Sequence, residues 1–268
     1  MDKEKILKEI ITKSWEEILE KIVKGLRKEF KKRNFENSVI GLSGGIDSSV
    51  VLAILVETFD RKNIKPIFMP YRTTSKTSYE DVEILTKKFG IKYETVDITP
   101  QIDAYFNSEK EKPDDYMLKL RIGNKCARER MSVLFDRALK YKALVIGTSN
   151  RSEIIMGYGT IFGDLACSIN PIGKLFKTQI FEFAKFLNIP ERIILKKPSA
   201  DLWVGQTDEG EMGIDYKTVD IISYLYFDKK YTLKKIEKLG IEKEKILKVL
   251  SSFEKNRFKR ELPKILKI

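Results

Sequence analysis

Residues 38–59 constrain this chain more than any other stretch. The apolar run Ser38-Val39-Ile40-Gly41-Leu42 meets Ser43-Gly44-Gly45-Ile46-Asp47-Ser48-Ser49, and Val50-Val51-Leu52-Ala53-Ile54-Leu55 follows. A strand-length run, a glycine turn and a helix-length run read as strand, loop and helix.

The same alternation continues downstream. Strands are expected at residues 38–42, 65–70, 92–98 and 143–147, with helices at 48–59, 78–89, 113–141 and 178–187. Strands alternating with helices of this length imply a parallel sheet covered on both faces, an α/β doubly wound fold. Residues 37–200 read as that core. Apolar positions Ile6, Ile10, Ile18, Ile22, Leu26 and Phe30 predict one long amphipathic helix over residues 2–33. The C-terminal segment also reads as helical, and residues 1–268 are expected to form one domain. Ligands of such sheets bind beyond the carboxyl ends of the strands.

Composition narrows the chemistry. A chain of 268 residues with 42% hydrophobic and 34% charged side chains is globular. No apolar run is long enough to span a bilayer, and the N-terminus lacks a signal-peptide layout, so a soluble cytoplasmic protein is expected. The net charge of +12 is carried largely by Lys/Glu mixtures on helix faces and reads as solvated surface or, alternatively, as attraction for a polyanionic substrate such as a nucleotide or RNA. With no nucleic-acid module visible, neither nucleic acid nor membrane is expected as a partner. There is no histidine, and Cys126 and Cys167 stand alone, without metal-binding spacing. They read as buried thiols. Catalysis must rely on carboxylates, lysines, hydroxyls, backbone amides and a hard metal ion.

Gly44-Gly45 lets the backbone turn and approach a ligand closely. The amides that follow open a helix and point outward with the positive end of its dipole, a setting for anions. Ser43, Ser48 and Ser49 add hydroxyls. The loop lacks the lysine of G-x-x-x-x-G-K-[ST], which suits a site that holds a whole departing pyrophosphate. Asp47 would be unfavourable beside phosphate unless a cation intervenes, and Mg²⁺ is the natural one. In Leu144-Val145-Ile146-Gly147-Thr148-Ser149-Asn150-Arg151-Ser152-Glu153, the strand ends at Gly147. Thr148 and Glu153 then fall at the same sheet edge as the loop. Glu153 reads either as favourable charge at a helix start or as a second carboxylate on the Asp47 metal.

S-G-G-x-D-S resembles the signature of the N-type ATP pyrophosphatases, which split ATP into AMP and pyrophosphate and adenylate an oxygen. GMP synthetase, asparagine synthetase, NAD synthetase and several tRNA-modifying enzymes share it. The remaining motifs look like NAD synthetase: the segment from Thr148 to Glu153, Gly163-Asp164, Asn170-Pro171-Ile172-Gly173, Lys177-Thr178, and Gly123-Asn124 with Ala127-Arg128 and Arg130-Met131. Pro198-Ser199-Ala200-Asp201-Leu202, Gln206-Thr207-Asp208-Glu209 and Arg257-Phe258-Lys259-Arg260 complete the set.

This resemblance implies a Rossmann-like fold of the adenine nucleotide alpha hydrolase type with added N- and C-terminal helices. It implies a carbon–nitrogen ligase that adenylates the nicotinate carboxylate of deamido-NAD with ATP, after which ammonia gives NAD and AMP. It places Gly41, Leu42, Ser43, Gly44, Gly45, Ile46, Asp47, Ser48, Arg72, Thr148, Lys177 and Ser199 at ATP. Asn124, Arg128, Arg130, Asp164, Phe258 and Lys259 fall on the deamido-NAD side. Asp47 and Glu153 would hold Mg²⁺, and these two with Lys177 form the expected catalytic set. Arg128 and Arg130, two apart, cannot share a helix face, so one is expected at substrate and the other in a structural role.

The family often has lysine where this chain has Ile161, and aspartate where it has Ser168. Ammonia, not glutamine, is the expected direct donor, because no glutaminase-length segment or suitable cysteine is present. The family forms homodimers, and a dimer is expected here. The competing readings are a GMP-synthetase-like core, a tRNA-modifying adenylating enzyme and a non-catalytic nucleotide-binding regulator.

Overall fold

The computed structural model describes residues 3–107, 116–199 and 206–266. Strands β1 (Asn37–Leu42), β2 (Ile64–Phe68), β3 (Glu94–Thr95) and β4 (Ala143–Ile146) form a parallel sheet in the order β3-β2-β1-β4. β1 therefore lies inside the sheet, with Ile40 opposite Pro66 on one side and Ile146 on the other. The chain moves outward from β1 through β2 to β3, then returns to place β4 on the opposite flank. The gap between the ends of β1 and β4 is the topological switch point, where such sheets bind ligands.

Ahead of β1, the single helix expected over residues 2–33 is two helices, α1 (Lys3–Ile11) and α2 (Trp15–Arg33). Ser14 breaks the run: its hydroxyl accepts the Glu17 amide at 3.4 Å and caps α2. After β1 come α3 (Ile46–Thr58), α4 (Lys76–Phe89), α5 (Thr99–Phe106) and α6 (Tyr116–Tyr141). The strand expected at 92–98 shrinks to Glu94–Thr95. Beyond it only alternate amides still reach β2, Val96 to Phe68 O at 2.8 Å and Ile98 to Pro70 O at 3.0 Å. Residues 113–115 of the helix expected at 113–141 lie outside the described residues.

After β4 the elements are short helices: α7 (Arg151–Met156), α8 (Lys177–Phe186), α9 (Glu191–Leu195), α10 (Asp208–Met212), α11 (Tyr216–Ser223), α12 (Leu233–Glu237) and α13 (Lys243–Lys255).

Strand side chains alternate between two buried faces. Ile40, Leu42, Leu144 and Ile146 enter a core with α2, α3 and α8, whereas Val39, Val145 and Ala143 face α5 and α6. α3 is buried from Val50 through Leu55, as expected for a helix that is apolar all round. A further core joins α1, α7, α11, α12 and α13. It backs α7 and α8, the helices that follow the switch point.

Candidate active site

A cavity of about 660 Å³ opens at the switch point, lined by the loop after β1, the residues after β4 and Lys177. Gly44 takes φ of +74°, and a Cβ there would stand 2.8 Å from the Ser78 carbonyl oxygen, so the backbone of α4 admits only glycine without strain. The serines fasten the loop. Ser48 Oγ accepts the Ser43 amide at 3.3 Å, Ser49 Oγ donates to Gly45 O at 2.8 Å, and Ser43 Oγ accepts the Gly45 amide at 3.2 Å.

Behind the loop, three charged groups converge. Lys177 Nζ lies 2.5 Å from Asp47 Oδ2 and 3.3 Å from Glu153 Oε1. Asn150 Nδ2 donates to Asp47 Oδ1 at 2.9 Å. Asn150 and Glu153 also form a reciprocal capping box, with the Glu153 amide 3.0 Å from Asn150 Oδ1 and the Asn150 amide 3.2 Å from Glu153 Oε2. The helix-start reading of Glu153 holds: Oε2 caps α7, while Oε1 meets the Lys177 ammonium.

Burial sets the electrostatics. The Lys177 side chain is 2% exposed. Desolvation acts to remove its proton, but the carboxylates of Asp47, Glu153 and Asp208 prevail and raise its pKa above the usual lysine value. Burial and the neighbouring Asp47 charge push the Glu153 pKa above the usual carboxylate value, against the opposing pull of Lys177. Lys177 is thus a fixed cation at the cavity floor, in contrast to a solvated lysine at a helix start. The Asp47 and Glu153 oxygens converge on this ammonium, and carboxylates are the ligand type a hard divalent ion takes together with phosphate and water.

A second acidic group lines the same cavity. Asp208 Oδ2 accepts the Tyr216 hydroxyl at 2.9 Å, and the Tyr158 hydroxyl lies 3.1 Å from Asp208 Oδ1 and 2.5 Å from Glu211 Oε2. Burial raises the Asp208 pKa, opposed chiefly by Lys177; burial with the Asp208 and Glu211 charges raises Tyr158, and burial with the Glu153 and Asp208 charges raises Tyr216. Sequence reasoning quoted Asp208 within a motif and assigned it no role. It overlooked Tyr158, Glu211 and Tyr216, because nothing local signals that residues 158 and 208–216 meet.

The remaining expected residues divide. Gly41, Leu42, Ser43, Gly45, Ile46, Asp47, Ser48, Thr148 and Ser199 line the cavity, as do Asn124, Arg130, Asp164 and Lys259. Arg130 Nε donates to Met69 O at 3.0 Å, Asn124 Oδ1 accepts the Thr160 hydroxyl at 2.7 Å, and Asp164 Oδ1 accepts the Thr160 amide at 2.8 Å. Lys259 Nζ donates to Gly157 O at 2.7 Å and Gly159 O at 2.8 Å. Arg130 lines the cavity, but Arg128 is exposed on α6 and is not brought to the cavity wall, so its expected place on the deamido-NAD side is not met.

Arg72 and Phe258 are not brought to the cavity wall. Arg72 is exposed and pairs with Asp103 at 3.2 Å, and Phe258 is 58% exposed. Residues 200–202 of the Pro-Ser-Ala-Asp-Leu motif lie outside the described residues. Ser168, where the family often has aspartate, accepts the Val145 amide at 3.3 Å. Cys126 is buried and Cys167 half-buried, and burial raises both thiols, so neither is an activated nucleophile.

An open parallel sheet with its ligand cavity at the switch point defines the doubly wound α/β class. Within that class the chain belongs to the NAD synthase family, whose model matches residues 18–263. It is 44% identical over 252 residues to the NH(3)-dependent NAD(+) synthetase of Fusobacterium nucleatum subsp. nucleatum, covering 94% of this chain and 96% of that protein. It is 42% identical to the NH(3)-dependent NAD(+) synthetase of Trichlorobacter lovleyi, covering 91% of this chain and 87% of that one. Among solved structures, it superposes on the NMN synthetase of Francisella tularensis with a TM-score of 0.82 at 32% identity, covering 96% and 100% of the two chains. The NH3-dependent NAD synthetase of Campylobacter jejuni gives 0.80 at 31% identity, also covering 96% and 100%. The GMP-synthetase-like and tRNA-modifying readings are not favoured by these matches.

Proposed function

We propose that this protein amidates deamido-NAD with ATP and ammonia, giving NAD, AMP and pyrophosphate. The observation that carries this reading is the meeting of Asp47, Glu153 and the buried Lys177 ammonium behind the amide-lined loop. A nicotinate carboxylate attacking a triphosphate brings two anions together, so the site must supply positive charge before the bond forms. Loop amides at the start of α3 and the Lys177 ammonium supply it from this chain's own groups.

The carboxylate oxygen bonds to the α-phosphorus as the bond to pyrophosphate breaks. Ammonia then bonds to the acyl carbon, AMP leaves and one proton is lost. The acyl-adenylate is already activated, so no histidine is needed. Asp47 and Glu153 would hold Mg²⁺, which when bound neutralises phosphate charge. Arg130, Asn124, Asp164 and Lys259 line the part of the cavity assigned to deamido-NAD. Residues 1–268 act as one domain in this reading. It is a cytoplasmic homodimer, and the exposed Phe135 and Leu139, one turn apart on α6, support association.

The test is purified protein with ATP, Mg²⁺, ammonium and deamido-NAD, following NAD and AMP. The mononucleotide acid is run in parallel, because the Francisella tularensis protein is named for NMN. Equal production of NAD and AMP is expected. No NAD from protein that binds ATP refutes the reading. Light scattering at micromolar concentration is expected to give twice the chain mass, and a monomer refutes the dimer.

A further inference from the structure

Asp220, on α11, is completely buried. Its Oδ2 accepts the Thr178 amide at 2.9 Å, and its Oδ1 accepts the Ser152 hydroxyl. The same Ser152 oxygen accepts the Lys177 amide at 2.8 Å. These are the amides of the first two residues of α8, which helix geometry leaves without intrahelical partners. The usual remedy is a polar side chain just before the helix, but that residue is Phe176, which offers no acceptor. Asp220 and Ser152 satisfy them instead, from two other helices.

A local serine at position 176 would satisfy one such amide without burying a charge, but an N-cap side chain reaches N2 or N3 and would leave the Lys177 amide unmet. The long-range arrangement achieves something a local cap does not, because Ser152 precedes Glu153. The chain from Asp220 through Ser152 to the Lys177 amide ties the start of α8 to α7. The separation of Lys177 and Glu153 across the site then depends on it. Tyr216, one turn earlier on α11, acts at the other end of the same lysine: its ring centroid lies 5.1 Å from Lys177 Nζ. α11 therefore touches the surroundings of Lys177 at both backbone and ammonium.

We infer that Asp220 is a positioning residue, acting through Ser152 and the first amides of α8 to set where the Lys177 ammonium stands relative to Asp47 and Glu153. This rests on the reading that Lys177 faces nucleotide phosphate. The experiment is a double-mutant cycle on affinity for a non-hydrolysable ATP analogue with Mg²⁺, measured by calorimetry on the full chain. Asp220→Asn keeps the shape but leaves one acceptor where two are used. It is expected to weaken binding by about tenfold, about 1.4 kcal/mol, within the range of coupling between residues of one hydrogen-bond network. In a Lys177→Met background the same change is expected to have no further effect.

Wild-type affinity in Asp220→Asn, or an equal loss with and without Lys177, overturns the inference. Should Asp220→Asn fail to fold, Ser152→Ala keeps the carboxylate and removes the link. It is expected to weaken binding only when Lys177 is present, and unchanged binding overturns the inference. The expected pattern in a protein that makes no NAD would refute the proposed reaction while supporting the role of Asp220.

Discussion

Asn150 donates its side-chain amide to the Asp47 carboxylate at 2.9 Å while its own oxygen caps α7. The two residues are on opposite sides of the switch point, one before α7 and the other in the first turn of α3. A capping side chain is thereby also a restraint on a site carboxylate. Stability of α7 and orientation of Asp47 depend on the same few atoms.

Asn150→Ala should therefore cost about 1 kcal/mol from the lost cap, and should also slow turnover. Asn150→Asp can still cap α7, yet it sets a second negative charge against Asp47. Asn150 is fully buried, so urea unfolding with steady-state kinetics should show both variants below wild type in stability, with Asn150→Asp the slower in turnover. Equal turnover in the two variants would mean that the orientation of Asp47 does not depend on Asn150.

Lys177→Met should do more damage than its size suggests. It leaves the Asp47 and Glu153 carboxylates facing each other in a poorly solvated place, at a cost of about 3–5 kcal/mol. Turnover should fall by at least about 100-fold, the scale for loss of a charge preorganised in the site. Denaturant midpoints and kcat measure the two effects, and turnover within threefold of wild type would remove Lys177 from the site.

Gly44→Ala tests the loop. Its backbone is left-handed, and the added methyl would meet the Ser78 carbonyl oxygen at 2.8 Å. A penalty of about 1–2 kcal/mol for the backbone conformation alone is expected, with further displacement of the loop. The KM for ATP should rise more than that for ammonium. An unchanged KM for ATP would mean that the turn does not shape the nucleotide site.

Away from the cavity, Glu94 gives a pH signature. Arg137 Nε and Nη2 reach its Oε1 at 2.9 and 2.8 Å, and the Tyr141 hydroxyl reaches Oε2 at 3.1 Å. The hydrogen bonds from Arg137 lead in lowering its pKa below the ordinary 4.5. A lowered carboxylate stabilises the fold above its unfolded pKa and loses that contribution as pH falls through the folded value. Glu94→Gln should be less stable than wild type at pH 7, with the gap closing below about pH 4.5. Thermal midpoints across pH 3 to 7 check this, and a constant gap refutes it.

The parallel sheet was legible because apolar runs of strand length alternate with helical patterns, and buried parallel strands show little polar interruption. The nucleotide loop was legible because its glycines, serines and Asp47 are contiguous. The break between α1 and α2 was missed although Ser14-x-x-Glu17 marks a helix start, since the apolar spacing on either side nearly matches. Lys177 was identified only through the family resemblance, and its burial was invisible. Periodicity places it at a helix start, where a lysine is ordinarily solvated. Asp220 lay beyond local reading altogether, because its partners at 152 and 178 are brought to it only by packing of three helices.

The interior place of β1 has a consequence for how the chain is made. Its partner β2 follows soon after, but β4 emerges about a hundred residues later, so one edge of β1 stays open for much of synthesis. Such parallel, non-local pairings form slowly, and an unpaired edge is the part of a nascent chain most exposed to wrong partners. During that interval Asp47 exists without Asn150, Glu153 or Lys177. A ribosome stalled shortly before β4 would hold the glycine loop and the α4 backbone it packs on attached to an unfinished sheet.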